Sequence, residues 1–274
     1  MIKNTVIYKT VNGRDLSALI YTPDKCANPA PVCFWFHGGG FIMGDVFEPD
    51  YNSATRNHLL ENGFKIISCE YRLCNENTHY DSLLEDCSDF LRYFTRHGEE
   101  FGIDLNRCIF AGTSAGAHIS LYEGLAGWEF GSDRSEAFPH PKVIVDYCGS
   151  TDMTDLADDW DESTFTSIFM AFFGSEYRNP ELIEYLSPLY AAKKLPVSDL
   201  PSIVAVHGDE DSMINPKQPR KLKAYYDSVG ADFKLIAMKN AGHGLSDEPD
   251  RPKAEPSREE FSRMVSEYVM EHIQ

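Results

Sequence analysis

Five residues, Gly112-Thr-Ser-Ala-Gly116, constrain this chain most, because they follow directly on an apolar run, Arg107-Cys-Ile-Phe-Ala111. Glycines two before and two after a serine, at the end of a buried strand, fit a sharp strand-to-helix turn. Such a turn lifts the serine hydroxyl off the end of a sheet. A Cβ at either glycine would collide with the adjoining strand and helix, so the pattern has a steric reason. Alone it is short enough to recur by chance. Its place behind an apolar strand gives it weight, and the rest of the chain must supply the sheet.

That sheet is legible as a series of short apolar runs. Thr5–Lys9 and Leu16–Tyr21 alternate, and Val11-Asn-Gly-Arg14 between them predicts an antiparallel hairpin, Asn-Gly being a strong turn signal. Val32–Phe36 is continuously apolar, as a strand buried on both faces should be. Phe64–Cys69, Cys108–Ala111, Val143–Tyr147, Ile203–Val206 and Phe233–Met238 follow. Between them, Leu83, Leu84, Cys87, Phe90, Leu91 and Phe94 recur at helical spacing, as do Phe261, Met264, Val265, Tyr268 and Val269. A third helix is predicted over Lys217–Val229, ended by Gly230. Strands alternating with helices give an α/β protein: a mostly parallel sheet with helices on both faces. The 274 residues fit one domain, 1–274, with no repeat or linker. Asp152 to Pro196 breaks the rhythm with no clean strand and many aromatic residues. This stretch, about 152–196, is read as an insertion serving as a lid over a pocket or as plain helix packing.

Charge and cysteines narrow the function. With 25 Lys+Arg against 43 Asp+Glu the net charge is −18, which argues against nucleic acid and anionic membrane surfaces as partners. No apolar stretch approaches the roughly 20 residues that span a bilayer. Met1–Lys9 lacks the apolar core of a secretory signal and reads as a strand. The expectation is a soluble, cytoplasmic protein. Of seven cysteines, Cys33, Cys69, Cys108 and Cys148 fall in apolar runs, where a thiol acts as a small hydrophobe. No C-x-x-C pair or Cys/His cluster has zinc spacing, so reduced thiols and no metal site are expected.

His37-Gly-Gly-Gly-Phe41 follows the third strand at once. Consecutive glycines let main-chain N–H groups face a ligand, and in acyl transfer they hold the oxyanion on the attacked carbonyl. A flexible turn or a phosphate loop would have the same composition, but no G-K-[ST] or G-x-G-x-x-G accompanies it, so no nucleotide cofactor is expected. A serine hydroxyl is a weak nucleophile near neutral pH and needs a base and a group to orient that base. His243, in Asn240-Ala-Gly-His-Gly244 just after the last apolar strand, is the candidate base. His207 reads as a structural neighbour and His118, four residues beyond Ser114, as a buried hydrogen-bonding group. His207-Gly-Asp-Glu-Asp211 offers the acid, with Asp211 favoured over Asp209 and Glu210 expected at the surface. The order Ser114, Asp211, His243 is that of the α/β-hydrolase sheet.

Taken together, His37-Gly-Gly-Gly-Phe41, Tyr71-Arg72-Leu73, Phe101-Gly-Ile-Asp104, Gly112-Thr-Ser-Ala-Gly116, His207-Gly-x-x-Asp211 and Gly242-His-Gly244 form a specific ordered set. In it the chain resembles the α/β-hydrolase superfamily, and within that the hormone-sensitive-lipase-like esterases, over nearly its whole length. The resemblance implies an eight-stranded sheet with only the second strand antiparallel, and a serine carboxylester hydrolase without a cofactor. It also implies Ser114 as nucleophile, His243 as general base and Asp211 as orienting acid. Gly39, Gly40 and Ala115 would supply the oxyanion-hole N–H groups, and Tyr71-Arg72 a bracing turn. The chain departs from the longer members: sheet and loop stand where they carry an N-terminal helical cap, the elbow runs on as Gly-Ala-His, and the acid motif lacks Asp-Pro-Leu. In these respects it is similar to acetyl-xylan-esterase-like and kynurenine-formamidase-like hydrolases. The expected substrate is a small-molecule ester with a short acyl group, cleaved through an acyl-enzyme. Amide or formamide hydrolysis by the same machinery, and a non-catalytic binding protein on the same fold, are the alternatives. The oligomeric state is left open, a homodimer included.

Overall fold

Asn12 and Gly13 both take positive φ, 51° and 79°, the two-residue turn that right-twisted strands favour. It folds β1 (Ile2–Val11) back on β2 (Arg14–Thr22), from Val11 opposite Arg14 to Ile2 opposite Thr22. The computed structural model describes residues 1–158, 170, 172, 174, 178–249 and 251–273. Six further strands complete the sheet: β3 (Ala30–Phe36), β4 (Lys65–Cys69), β5 (Ile103–Thr113), β6 (Val143–Tyr147), β7 (Ser202–Gly208) and β8 (Phe233–Met238). Their order is β1-β2-β4-β3-β5-β6-β7-β8. β2 runs antiparallel to both its neighbours, and every pair from β4 to β8 is parallel.

Helices cover both faces. Val32, Phe34 and Phe36 of β3 point into one core with α2 (Tyr80–Arg96), α3 (Ala115–Ala126) and α6 (Lys217–Val229). Cys33 and Trp35 point the other way, against α1 (Ser53–Glu61) and α7 (Arg258–His272). Two-sided burial is why β3 reads as an unbroken apolar run. Phe34 meets Phe90 and Phe110 edge-to-face, at 5.6 and 5.9 Å between ring centroids; burying each such ring contributes roughly 1.5–3 kcal/mol. Among the described residues no helix is long and apolar enough to cross a membrane.

Of the stretch read as a lid or as plain helix packing, 159–169, 171, 173 and 175–177 lie outside the described residues. The rest holds a short 3₁₀ turn (Met153–Asp158), α4 (Pro180–Tyr185) and α5 (Pro188–Lys194). Ile183, Leu186 and Leu189 from it join the first core.

α3 is buried on every side and carries Glu123 inside. Burial pushes this carboxyl up to about 8, against the opposing effects of the Ser88 hydrogen bond and Arg92. Ser88 Oγ lies 2.9 Å from Glu123 Oε2 and 3.0 Å from the Gly127 carbonyl. The Ser88 hydroxyl is a donor shared between the Glu123 carboxyl and the Gly127 carbonyl. The folded state thus binds a proton that the unfolded chain has released between the ordinary glutamate range and about pH 8, and stability falls as pH rises through that window. Glu48 and Asp146, raised by burial to about 7 and about 6, act in the same direction. Thermal denaturation is expected to show Tm falling by several degrees from about pH 5 to about pH 8, with a shallower slope in Glu123→Gln.

Candidate active site

The site begins where β5 stops. Ser114 takes φ 55° and ψ −117°, a sharp corner between β5 and α3. Its N–H donates to the Tyr147 carbonyl at 2.7 Å, and its carbonyl accepts from His118 N–H at 3.0 Å. A non-glycine residue at such a corner costs roughly 1–3 kcal/mol and persists because its surroundings fix it. Both flanking glycines are needed for that. A Cβ on Gly112 would come 2.6 Å from the Phe36 carbonyl, and one on Gly116 would overlap the same oxygen. The steric reason expected from the motif therefore holds, with the end of β3 as the obstacle.

Against Ser114 stands His243, on the loop after β8. Its Nε2 lies 2.9 Å from Ser114 Oγ and its Nδ1 2.7 Å from Asp211 Oδ2. Asp211 sits in the turn after β7 with its side chain fully enclosed. Oδ1 accepts from the N–H groups of Met213 and Ile214 at 2.8 and 2.9 Å. His207 Nε2 donates to the Ile214 carbonyl at 2.7 Å and lies 3.2 Å from Asp211 Oδ2. Burial by itself would raise the Asp211 carboxyl, but the bonds from His207, His243 and Ile214 outweigh it and hold it well below the usual carboxylate range. Asp211 is thus an acceptor only, so His243 carries its proton on Nδ1 and turns a lone pair to Ser114. A hydroxyl, an imidazole and a carboxylate in this series can move a proton off the hydroxyl as it attacks. Asp209 and Glu210 are exposed, and Glu210 pairs with Arg251 at 2.7 Å.

The glycine loop lies beside this series. Gly39 and Gly40 take φ 111° and 60°, and among the described residues no acceptor takes the N–H of Gly39, Gly40 or Ala115. The loop is clamped from behind. Tyr71 donates to the His37 carbonyl at 2.6 Å and stacks on its ring at 4.0 Å. Arg72 in turn forks onto Asp86 at 2.7 and 2.9 Å. Glu48 accepts from Gly38 N–H at 3.0 Å and Trp35 Nε1 at 2.8 Å, despite burial that pushes its carboxyl up to about 7. Glu48 was invisible in the sequence, since it belongs to no motif. His118 is buried; Tyr80 donates to its Nε2 at 2.6 Å and its Nδ1 donates to the Ser150 carbonyl at 2.9 Å. Burial lowers this imidazole to about 4, so it stays neutral.

Cys148, Asp211 and His243 form the one group with metal-ligand spacing among the described residues. It does not fit a metal: burial holds the Cys148 thiol well above its usual range, and both His243 nitrogens are engaged. A cavity of about 740 Å³ opens at the amino ends of β6 and β7 among Pro141, Lys142, Pro201 and Ser202, the opposite edge of the sheet from Ser114.

Strand order, the lone antiparallel β2 and a serine on the β5–α3 corner define the α/β-hydrolase fold. The BD-FAE family model matches residues 19–226, and the chain belongs to that family. It is similar to Esterase LipI of Mycobacterium tuberculosis, 38% identical over 103 residues, 37% of this chain and 31% of that one. It is 27% identical over 231 residues to a probable isoprenylcysteine alpha-carbonyl methylesterase, ICME, of Oryza sativa subsp. japonica, covering 82% of this chain and 54% of the relative. The chain therefore spans between about a third and about half the length of these two curated relatives. Among solved structures, a truncated form of a carbohydrate esterase from gut microbiota superposes with a TM-score of 0.80 at 20% identity, over 100% of this chain and 96% of that one.

Proposed function

We propose that residues 1–274 act as one α/β-hydrolase domain, a serine carboxylesterase that cleaves small-molecule esters of short acyl groups. The observation that carries this is the His243 imidazole set 2.9 Å from Ser114 Oγ and 2.7 Å from Asp211. Ser114 Oγ attacks the ester carbonyl carbon while its proton passes to His243 Nε2, and the C=O electron pair moves onto oxygen. The N–H groups of Gly39, Gly40 and Ala115 receive that oxyanion. Collapse breaks the bond to the alkoxide, which takes the proton from His243. Water then repeats the sequence on the acyl-enzyme and releases the acid. Asp211 stays ionised throughout, holding the imidazole and stabilising its protonated form. The names of the esterase relatives and of the carbohydrate esterase neighbour agree with this chemistry.

Crowding beside the oxyanion loop supports a short acyl group. Phe41, next to Gly40, packs at 4.2 Å on Phe172 and at 5.6 Å on His118, one turn past Ser114. Phe172 also packs on Tyr80 at 4.0 Å. With p-nitrophenyl esters from acetyl to palmitoyl, kcat/KM is expected to peak between acetyl and butyryl and to fall at least about tenfold by decanoyl, about 1.4 kcal/mol of lost transition-state binding. Absence of turnover across the series overturns the esterase function; a maximum at palmitoyl overturns the short-acyl preference.

A further inference from the structure

A second cavity of about 220 Å³ has His243 in its wall, together with Asn52, Thr55, Tyr147, Phe261 and Arg258. Which part of a substrate would enter it follows from proton transfer. The imidazole that takes the Ser114 proton must deliver it to the leaving oxygen, so the leaving alcohol lies against His243. A cavity that has His243 as part of its wall is therefore the candidate for receiving the leaving alcohol.

Arg258 gives that cavity a sign. Its guanidinium donates to the Gly244 carbonyl at 2.7 Å and to Asn52 Oδ1 at 3.3 Å, both uncharged acceptors. Among the described residues no carboxylate pairs with it, in a chain with 43 acidic residues against 25 basic ones. An arginine fork has five N–H donors, so several are left for a planar anion, and partial burial strengthens whatever they bind. The net charge of −18 opposes an anion at long range, but salt screens that field over about 10 Å at 0.1 M, whereas the fork acts at contact.

We propose that Arg258 is a specificity-determining residue that binds a carboxylate on the leaving alcohol, so that the preferred substrates are esters of small hydroxy acids. This rests on the esterase function proposed above and adds the substrate class. The test compares para-acetoxybenzoate with para-acetoxybenzamide, which lose the same acetyl group and differ in the charge on the leaving phenol. The quantity read is the carboxylate-to-amide ratio of kcat/KM, in which any disturbance of the His243 loop cancels. In Arg258→Gln that ratio is expected to fall about tenfold or more relative to the unsubstituted enzyme, chiefly through KM for the carboxylate, with Arg258→Lys retaining part of it. Adding salt above about 0.1 M, where the long-range field is already screened, should lower the ratio in the unsubstituted enzyme and leave it nearly flat in Arg258→Gln. An unchanged ratio in Arg258→Gln overturns the carboxylate site while para-acetoxybenzamide turnover still upholds the esterase. Absence of turnover of para-acetoxybenzamide by the unsubstituted enzyme overturns both.

Discussion

Ser114→Ala is expected to lower kcat for p-nitrophenyl acetate by a factor on the order of ten thousand to a million, leaving only what oxyanion contacts and binding supply. The size of the loss follows from what the hydroxyl does. Without Oγ no acyl-enzyme forms, and water must attack unaided. The substitution also spares the fold. Alanine keeps the Cβ that already occupies the corner at φ 55°, the N–H bond to Tyr147 is main-chain, and the side-chain oxygen bonds to His243 on a half-open face. Tm is therefore expected to stay close to that of the unsubstituted protein, and a fluorophosphonate probe that labels the enzyme once should leave the variant unlabelled. Retained turnover with Oγ gone would mean that another group attacks the ester.

How much of this was legible in the sequence depends on how local each feature is. The elbow, the glycine tract and the histidine loop could be read because each packs its chemistry into five or six residues. Asp211 was separable from Asp209 by loop position, and in the structure Asp209 faces solvent while Asp211 is enclosed. The central strands were legible because both faces are buried. Only half of β5 is legible. Its ladder with β3 jumps from Pro31–Asp104 to Val32–Cys108, so its polar first half, before the register shift, carries no apolar run. α1 left almost no periodic trace, since only Thr55 and Leu59 are buried on it. α3 is legible only through the elbow motif that starts it: buried on all sides, it has no polar face to set a period. Glu48 and Arg258 were not legible at all. Their partners, Trp35 and Gly244, are 13 and 14 residues away and meet them only in the folded chain. The sequence shows His207 only as a neighbour; its reach to Asp211 depends on the turn at Ile214.

That turn makes Asp211→Asn the sharper experiment on mechanism. Each carboxylate oxygen serves two donors: Oδ1 takes Met213 and Ile214 at 2.8 and 2.9 Å, and Oδ2 takes His243 at 2.7 Å with His207 at 3.2 Å. An asparagine has one acceptor oxygen and one NH₂. With the NH₂ toward the loop, two main-chain donors lose their acceptor, the buried Ile214 N–H at about 1–3 kcal/mol and the part-buried Met213 N–H at less. With the NH₂ toward the histidines, His243 must accept at Nδ1 and therefore carry its proton at Nε2, pointing it at Ser114. The second arrangement keeps the loop intact and leaves no lone pair to take the serine proton. We expect kcat to fall about ten-thousand-fold, the usual cost of the wrong tautomer, with little change in KM. The measurement is steady-state turnover on folded protein, checked by circular dichroism. Asp209→Asn, one loop position away but exposed, is expected to stay within about twofold of the unsubstituted rate. If Asp209→Asn abolished turnover and Asp211→Asn did not, the bond between Asp211 and His243 would have no part in catalysis, and the base would need another partner to hold it.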